Sequence, residues 1–102
     1  MPPMRISQEQ TRAIACLARE VAGDQACVRL FGSRLDEQAR GGDVGLFLEL
    51  PFPAENPVLT VARLSAHVSR LFRGRRVDVL IAAPNLAYLP IHEVARRQGV
   101  LL

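Results

Sequence analysis

Apolar residues recur along this chain with two different periods, and the changes of period mark its elements. Ile14, Leu17, Ala18 and Val21 return at helical spacing, which puts them on one side of a helix over about residues 8–22. Ser7, with Gln10 three residues later, has the form of a capping box at the start of that helix, and Gly23 supplies its stop. The short apolar run from Cys27 to Phe31 reads as a strand that ends at Gly32 and Ser33. From Asp43 to Leu50 the period is two: Val44, Leu46, Leu48 and Leu50 take one face, and Asp43, Gly45, Phe47 and Glu49 take the other. A strand with a core face and a mostly polar face is expected there.

Pro51 and Pro53 end that strand, and Asn56 followed by Pro57 caps a second helix. Its stripe is Val61, Leu64, Val68, Leu71 and Phe72, running to about Arg73 and closed by Gly74. Arg75 to Ala82 forms a further strand, with Val77, Val79 and Ile81 on one side and Asp78 and Leu80 on the other. A short last helix covers about Leu89 to Arg97. With a short helix expected after Ser33, the order is helix, strand, short helix, strand, helix, strand, helix. Such interleaving predicts an α/β (α+β) domain spanning residues 1–102.

Length and composition narrow this picture. A chain of 102 residues has room for one core and can bury about two-thirds of its unfolded surface without a staple. The hydrophobic fraction of 49% and charged fraction of 23% are those of a globular protein, and no apolar run approaches a membrane span. Polar residues follow Met1 to Arg5 directly, unlike a secretory signal, so a cytoplasmic location is expected. Cys16 and Cys27 lack the spacing of a metal or redox pair and are expected as buried thiols. All 13 basic residues are arginines, and the formal charge is +3. So small a surplus does not point to nucleic acid.

Candidate chemistry begins at Leu30-Phe31-Gly32-Ser33-Arg34. A Gly-Ser turn between strand and helix presents backbone N–H groups and a hydroxyl suited to phosphate, although the tripeptide is equally compatible with a plain turn. Asp43 follows a double glycine and shares a strand face with Gly45, while Asp78 lies between Val77 and Val79. An acid among core residues is costly unless paired or bound to a cation. Two readings remain open: Asp43 and Asp78 converge on one Mg²⁺ if their strands are neighbours, or Asp43 caps its strand and Asp78 pairs with Arg75 or Arg76. His67 is expected at the surface, and His92 as a cap or packing residue of the last helix. Leu86 to Ile91 could present an apolar patch to a partner.

Taken in order, Gly32-Ser33-Arg34, then Asp43-Val44-Gly45, then Arg76-Val77-Asp78-Val79 resembles the minimal nucleotidyltransferases of the DNA polymerase β superfamily. The C-terminal stretch from Pro90 to Leu101 is similar as well. The resemblance implies a small mixed β-sheet flanked by helices. It also implies that Gly32 and Ser33, with Arg34, hold the phosphates of ATP, that Asp43 binds two Mg²⁺ ions, and that Asp78 ligates the ion nearer the nucleophile. Transfer of a nucleoside monophosphate to an acceptor hydroxyl would follow. The family pattern is Asp-x-Asp, and its second Asp falls on Gly45. Losing a bridging carboxylate should cost several kcal/mol in transition-state binding, as for other preorganised groups. Glu49 shares the face but stands roughly 13 Å away along the strand.

Two functional classes follow from the resemblance. One is an enzyme impaired at Gly45. The other is an antitoxin that binds a HEPN-type toxin, or a catalytically dead nucleotide-binding or protein-interaction module. A homo-oligomer is a further expectation for so small a chain.

Overall fold

In the computed structural model, which describes residues 7–31 and 44–102, three helices pack around a four-stranded mixed sheet. The elements are α1 (Gln8–Ala22), β1 (Cys27–Phe31), β2 (Val44–Glu49), α2 (Pro57–Leu71), β3 (Val77–Ala82), α3 (Pro90–Gln98) and β4 (Val100–Leu101). The strand order is β3-β2-β1-β4. β1 pairs antiparallel with β2 and with β4, and β2 pairs parallel with β3. A parallel pair needs a crossover of a dozen or more residues, and α2 provides it.

The local signals act as their chemistry requires. Ser7 Oγ accepts from the Gln10 N–H at 3.0 Å, and Gln10 Oε1 accepts from the Ser7 N–H at 3.0 Å, closing the capping box of α1. Asn56 Oδ1 accepts from the Leu59 N–H at 3.1 Å, with Pro57 opening α2 where its missing N–H costs nothing. At the other end of α2, Arg73 and Gly74 both take positive φ, and the Gly74 N–H donates to the Ser69 carbonyl at 2.9 Å. The helix closes in this left-handed turn.

The main core lies between one sheet face and two helices. Ile14 and Ala18 of α1 and Leu64 and Val68 of α2, with Phe72 at the C-cap of α2, bury against Val28, Leu30, Val44, Leu46, Leu48 and Val77. These are the residues on the two helical stripes and on the apolar sides of the strands.

The opposite face differs from its expected polar character. Phe47 is completely buried there, because α3 lies across β1 and β2 and sets the His92 ring 5.8 Å from that of Phe47. The cysteines also depart from expectation. Cys16 and Cys27 are both exposed free thiols, Cys16 standing outside the α1 stripe and Cys27 opening its strand. Two tertiary features have no counterpart in the sequence reading. One is β4, which adds Val100 and Leu101 to the free side of β1. The other is Asn85, whose amide both accepts from the Ala54 N–H at 2.8 Å and donates to its carbonyl at 2.9 Å, tying together the connections that follow β2 and β3.

Among the described residues β3 is a sheet edge, and two of its outward carbonyls are claimed by side chains. Ser65 Oγ of α2 donates to the Val77 carbonyl at 3.0 Å, and His92 Nε2 lies 3.1 Å from the Ile81 carbonyl. Occupied carbonyls make an edge a poorer template for a further strand.

Candidate functional site

Strand register brings two of the sequence-derived positions side by side. In the parallel β2–β3 ladder Gly45 is the partner of Asp78, and alternation puts both on the sheet face that carries Phe47 and Glu49. The condition that the two strands be neighbours is therefore met. Asp78 itself is not an acid buried in a core. Val77 is buried on the α2 side, whereas the Asp78 side chain is 52% exposed and accepts from Arg76 Nε at 3.1 Å. Arg76 is 74% exposed, so the pair contributes well under about 1 kcal/mol and a competing cation would displace it at little cost.

The backbone around Gly45 is unusually tight. Gly45 is buried near the start of β2, at the last pair of the β1–β2 ladder, with Phe31 of β1 as its antiparallel partner. A Cβ built at Gly45 would stand 2.6 Å from the Phe31 carbonyl oxygen and 3.3 Å from both the Phe31 carbonyl carbon and its ring atom Cε2. Main-chain atoms of the next strand occupy the space where a side chain would begin. An aspartate at position 45 would therefore require strand movement as well as a change of residue.

Gly32, Ser33, Arg34 and Asp43, together with the short helix expected after β1, lie outside the described residues. Among the described residues, no group of three or more His, Cys, Asp or Glu side chains has metal-site geometry. Of the acids assigned to Mg²⁺ by resemblance, only Asp78 is described, and Gly45 offers no side-chain oxygen.

Glu49, at the far end of β2 on the same face, is engaged elsewhere. Its Oε1 accepts from Arg29 Nε at 3.0 Å, and Arg96 Nε stands 3.8 Å from its Oε2. Arg29 and Glu49 are each about three-quarters buried. The ion pair thereby joins β1 to β2, and Arg96 draws α3 toward both.

His92 holds α3 in place. Its Nδ1 accepts from the Leu89 N–H at 2.9 Å, so the proton of the neutral ring sits on Nε2 and is donated to the Ile81 carbonyl. The ring also stacks on Tyr88 at 5.3 Å. Tyr88 in turn donates to Glu93 Oε2 at 3.0 Å, and Arg97 Nε donates to Glu93 Oε1 at 3.0 Å. Partial desolvation, reinforced by the Glu93 carboxylate, raises the Tyr88 hydroxyl above its ordinary pKa. The Tyr88 hydroxyl and then Arg97 lower that of Glu93. Around this cluster Tyr88, Leu89, Ile91 and Val94 remain exposed, an apolar patch on the stretch where one was expected. His67 is exposed, also as expected.

Sequence reasoning did not find the Arg29–Glu49–Arg96 grouping. Arg29 inside the apolar run of β1 was the available signal, because a charge there faces a partner or water.

No family model matches this chain, and a search of curated proteins finds no match. Among the described residues, no helix is long and apolar enough to cross a membrane.

Proposed function

We propose that the chain is a minimal nucleotidyltransferase-like domain in which transfer is impaired and partner binding is the working role, with a HEPN-type toxin as the partner. The observation that carries this reading is the parallel register of Gly45 with Asp78. It sets the position of the missing acid beside the remaining one on a common sheet face, the relation the ordered motif requires. The mixed sheet with flanking helices supports it as well.

In this reading the Gly32-Ser33 turn and Arg34 hold the phosphates of ATP, and Asp43 and Asp78 hold Mg²⁺. The ion, when bound, neutralises phosphate charge and favours ionisation of an acceptor hydroxyl. Asp78 is suited to orient that hydroxyl and take its proton, once its carboxylate leaves Arg76. Gly45 contributes nothing to a second ion. Slow or absent transfer follows, and the exposed Tyr88, Leu89, Ile91 and Val94 favour a role in protein contact.

Calorimetry with ATP and Mg²⁺, paired with an assay for AMP incorporation, tests the reading. Weak Mg²⁺-dependent ATP binding that is lost in Asp78→Asn, with no incorporation, is the expected result. Efficient incorporation would refute the impairment, and ATP binding indifferent to both Mg²⁺ and Asp78 would refute the site. Co-purification with a short all-helical protein carrying an Arg-x4-His motif, encoded in the neighbouring reading frame, tests the antitoxin role. Failure of the two chains to associate would remove it.

A further inference from the structure

At the end of the sheet remote from Gly45, on the same face, Arg29, Glu49 and Arg96 border a cavity of about 310 Å³ whose other walls include Gln25, Cys27 and Leu101. Three elements supply its charged groups. Alternation along β1 and β2 turns Arg29 and Glu49 to the face covered by α3, and Arg96 follows the buried Ala95 out of that helix. Within the cavity wall two guanidinium groups meet one carboxylate, Arg96 also acting on Tyr88 and Glu93 outside it. Both approach Glu49 through Nε. A guanidinium fork presents five N–H donors, more than one carboxylate can accept, and its planar shape suits an oxyanion.

The two arginines are held unequally. Arg29 is bound to Glu49 at 3.0 Å and is only 24% exposed, whereas Arg96 stands at 3.8 Å and is 56% exposed. Glu49 therefore fixes Arg29, while Arg96 divides its charge between Glu49 and the Tyr88–Glu93 pair and can shift toward a newcomer. Leu101 gives the cavity an apolar wall, and its volume is at the low end of those that take small molecules.

We infer that this cavity binds a small organic monoanion, its carboxylate held between Arg29 and Arg96 and its short apolar body against Leu101. With one surplus positive charge among the lining groups, and Glu93 already acting on Arg96, the cavity selects a monoanion over a dianion, because a second negative charge would face Glu49 without a counterpart. This site is independent of the proposed nucleotide function: it uses none of the same residues and lies four residues along β2, roughly 13 Å, from Gly45.

The test uses the full chain labelled with ¹⁵N and titrated separately with butyrate, benzoate and inorganic phosphate. Saturable shifts are expected with the two carboxylates, centred on Arg29, Glu49, Arg96 and Leu101, and affinity should fall as salt is raised. Arg96→Met should weaken binding at least tenfold while leaving the thermal midpoint nearly unchanged, and Arg12→Met on the exposed side of α1 should have no effect. Shifts that never saturate or that spread over arginines generally would overturn the proposal, as would unaltered binding by Arg96→Met. Phosphate binding more tightly than either carboxylate would overturn the choice of ligand.

Discussion

Placing a side chain at Gly45 tests the central geometric finding. In Gly45→Ala the new methyl group would begin 2.6 Å from the Phe31 carbonyl oxygen, with two further Phe31 atoms at 3.3 Å. Because the nearest atom is main chain, relief must come from retreat of β1 or from opening of the Phe31–Gly45 pair, not from a rotamer change. Overpacking of this kind costs about 1–3 kcal/mol. Against it stands a gain of about 0.4–1 kcal/mol from the stiffer unfolded chain. A net loss of about 1–2 kcal/mol is expected, which for a domain of this size lowers the thermal midpoint by roughly 5–15 °C. Gly45→Asp should lose more at neutral pH, because its carboxylate would enter a buried ladder position directly beside Asp78. The assay is thermal and urea unfolding of both variants, with amide exchange at Phe31 and Gly45 to detect the opened pair. A Gly45→Ala protein as stable as the parent, with unchanged protection at those amides, would refute the reasoning. For Gly45→Asp, a midpoint raised by Mg²⁺ would show that the strands can part enough for the new carboxylate to take a metal ion. Indifference to Mg²⁺ would show that the change of residue alone does not create a metal site.

Other predictions concern the side chains that hold α3. His92→Phe keeps a ring against Phe47 but removes both the acceptor for the Leu89 N–H and the donor to the Ile81 carbonyl, so it should cost about 1–3 kcal/mol in urea unfolding; an unchanged midpoint would show that those bonds contribute nothing. The lowered pKa of Glu93 fixes a sign. Its contribution is complete above the unfolded value near 4.5 and is lost as pH falls through the lower folded value. Stability of the parent should accordingly decline on acidification below pH 4.5 more steeply than that of Glu93→Gln, as read from urea midpoints; parallel pH profiles for the two proteins would contradict this.

How much could be read from the sequence divides along the physical range of each signal. The capping box at Ser7 and Gln10, the Asn56-Pro57 start of α2 and the stripes of α1 and α2 depend on contacts within one or two helical turns. They stood in the residues themselves. Alternation along β2 likewise separated Val44, Leu46 and Leu48 from Gly45, Phe47 and Glu49 correctly. What covers each face is a question of which element packs there, and period alone does not answer it. Phe47 looked like an apolar residue on a mostly polar face until α3 was seen to close over it.

The same distinction governs the site. The sequence by itself determined that an acid stands at position 78 and none at position 45. Only the parallel pairing of β2 with β3 decided that the two are neighbours, and only the approach of β1 decided that the space at Gly45 is filled by the Phe31 carbonyl. Arg29, Glu49 and Arg96 are far apart in the chain and meet because strand pairing and the docking of α3 bring them together. Local hydrogen bonds and periodicity are encoded residue by residue, whereas a meeting of distant side chains depends on how the whole chain closes its core.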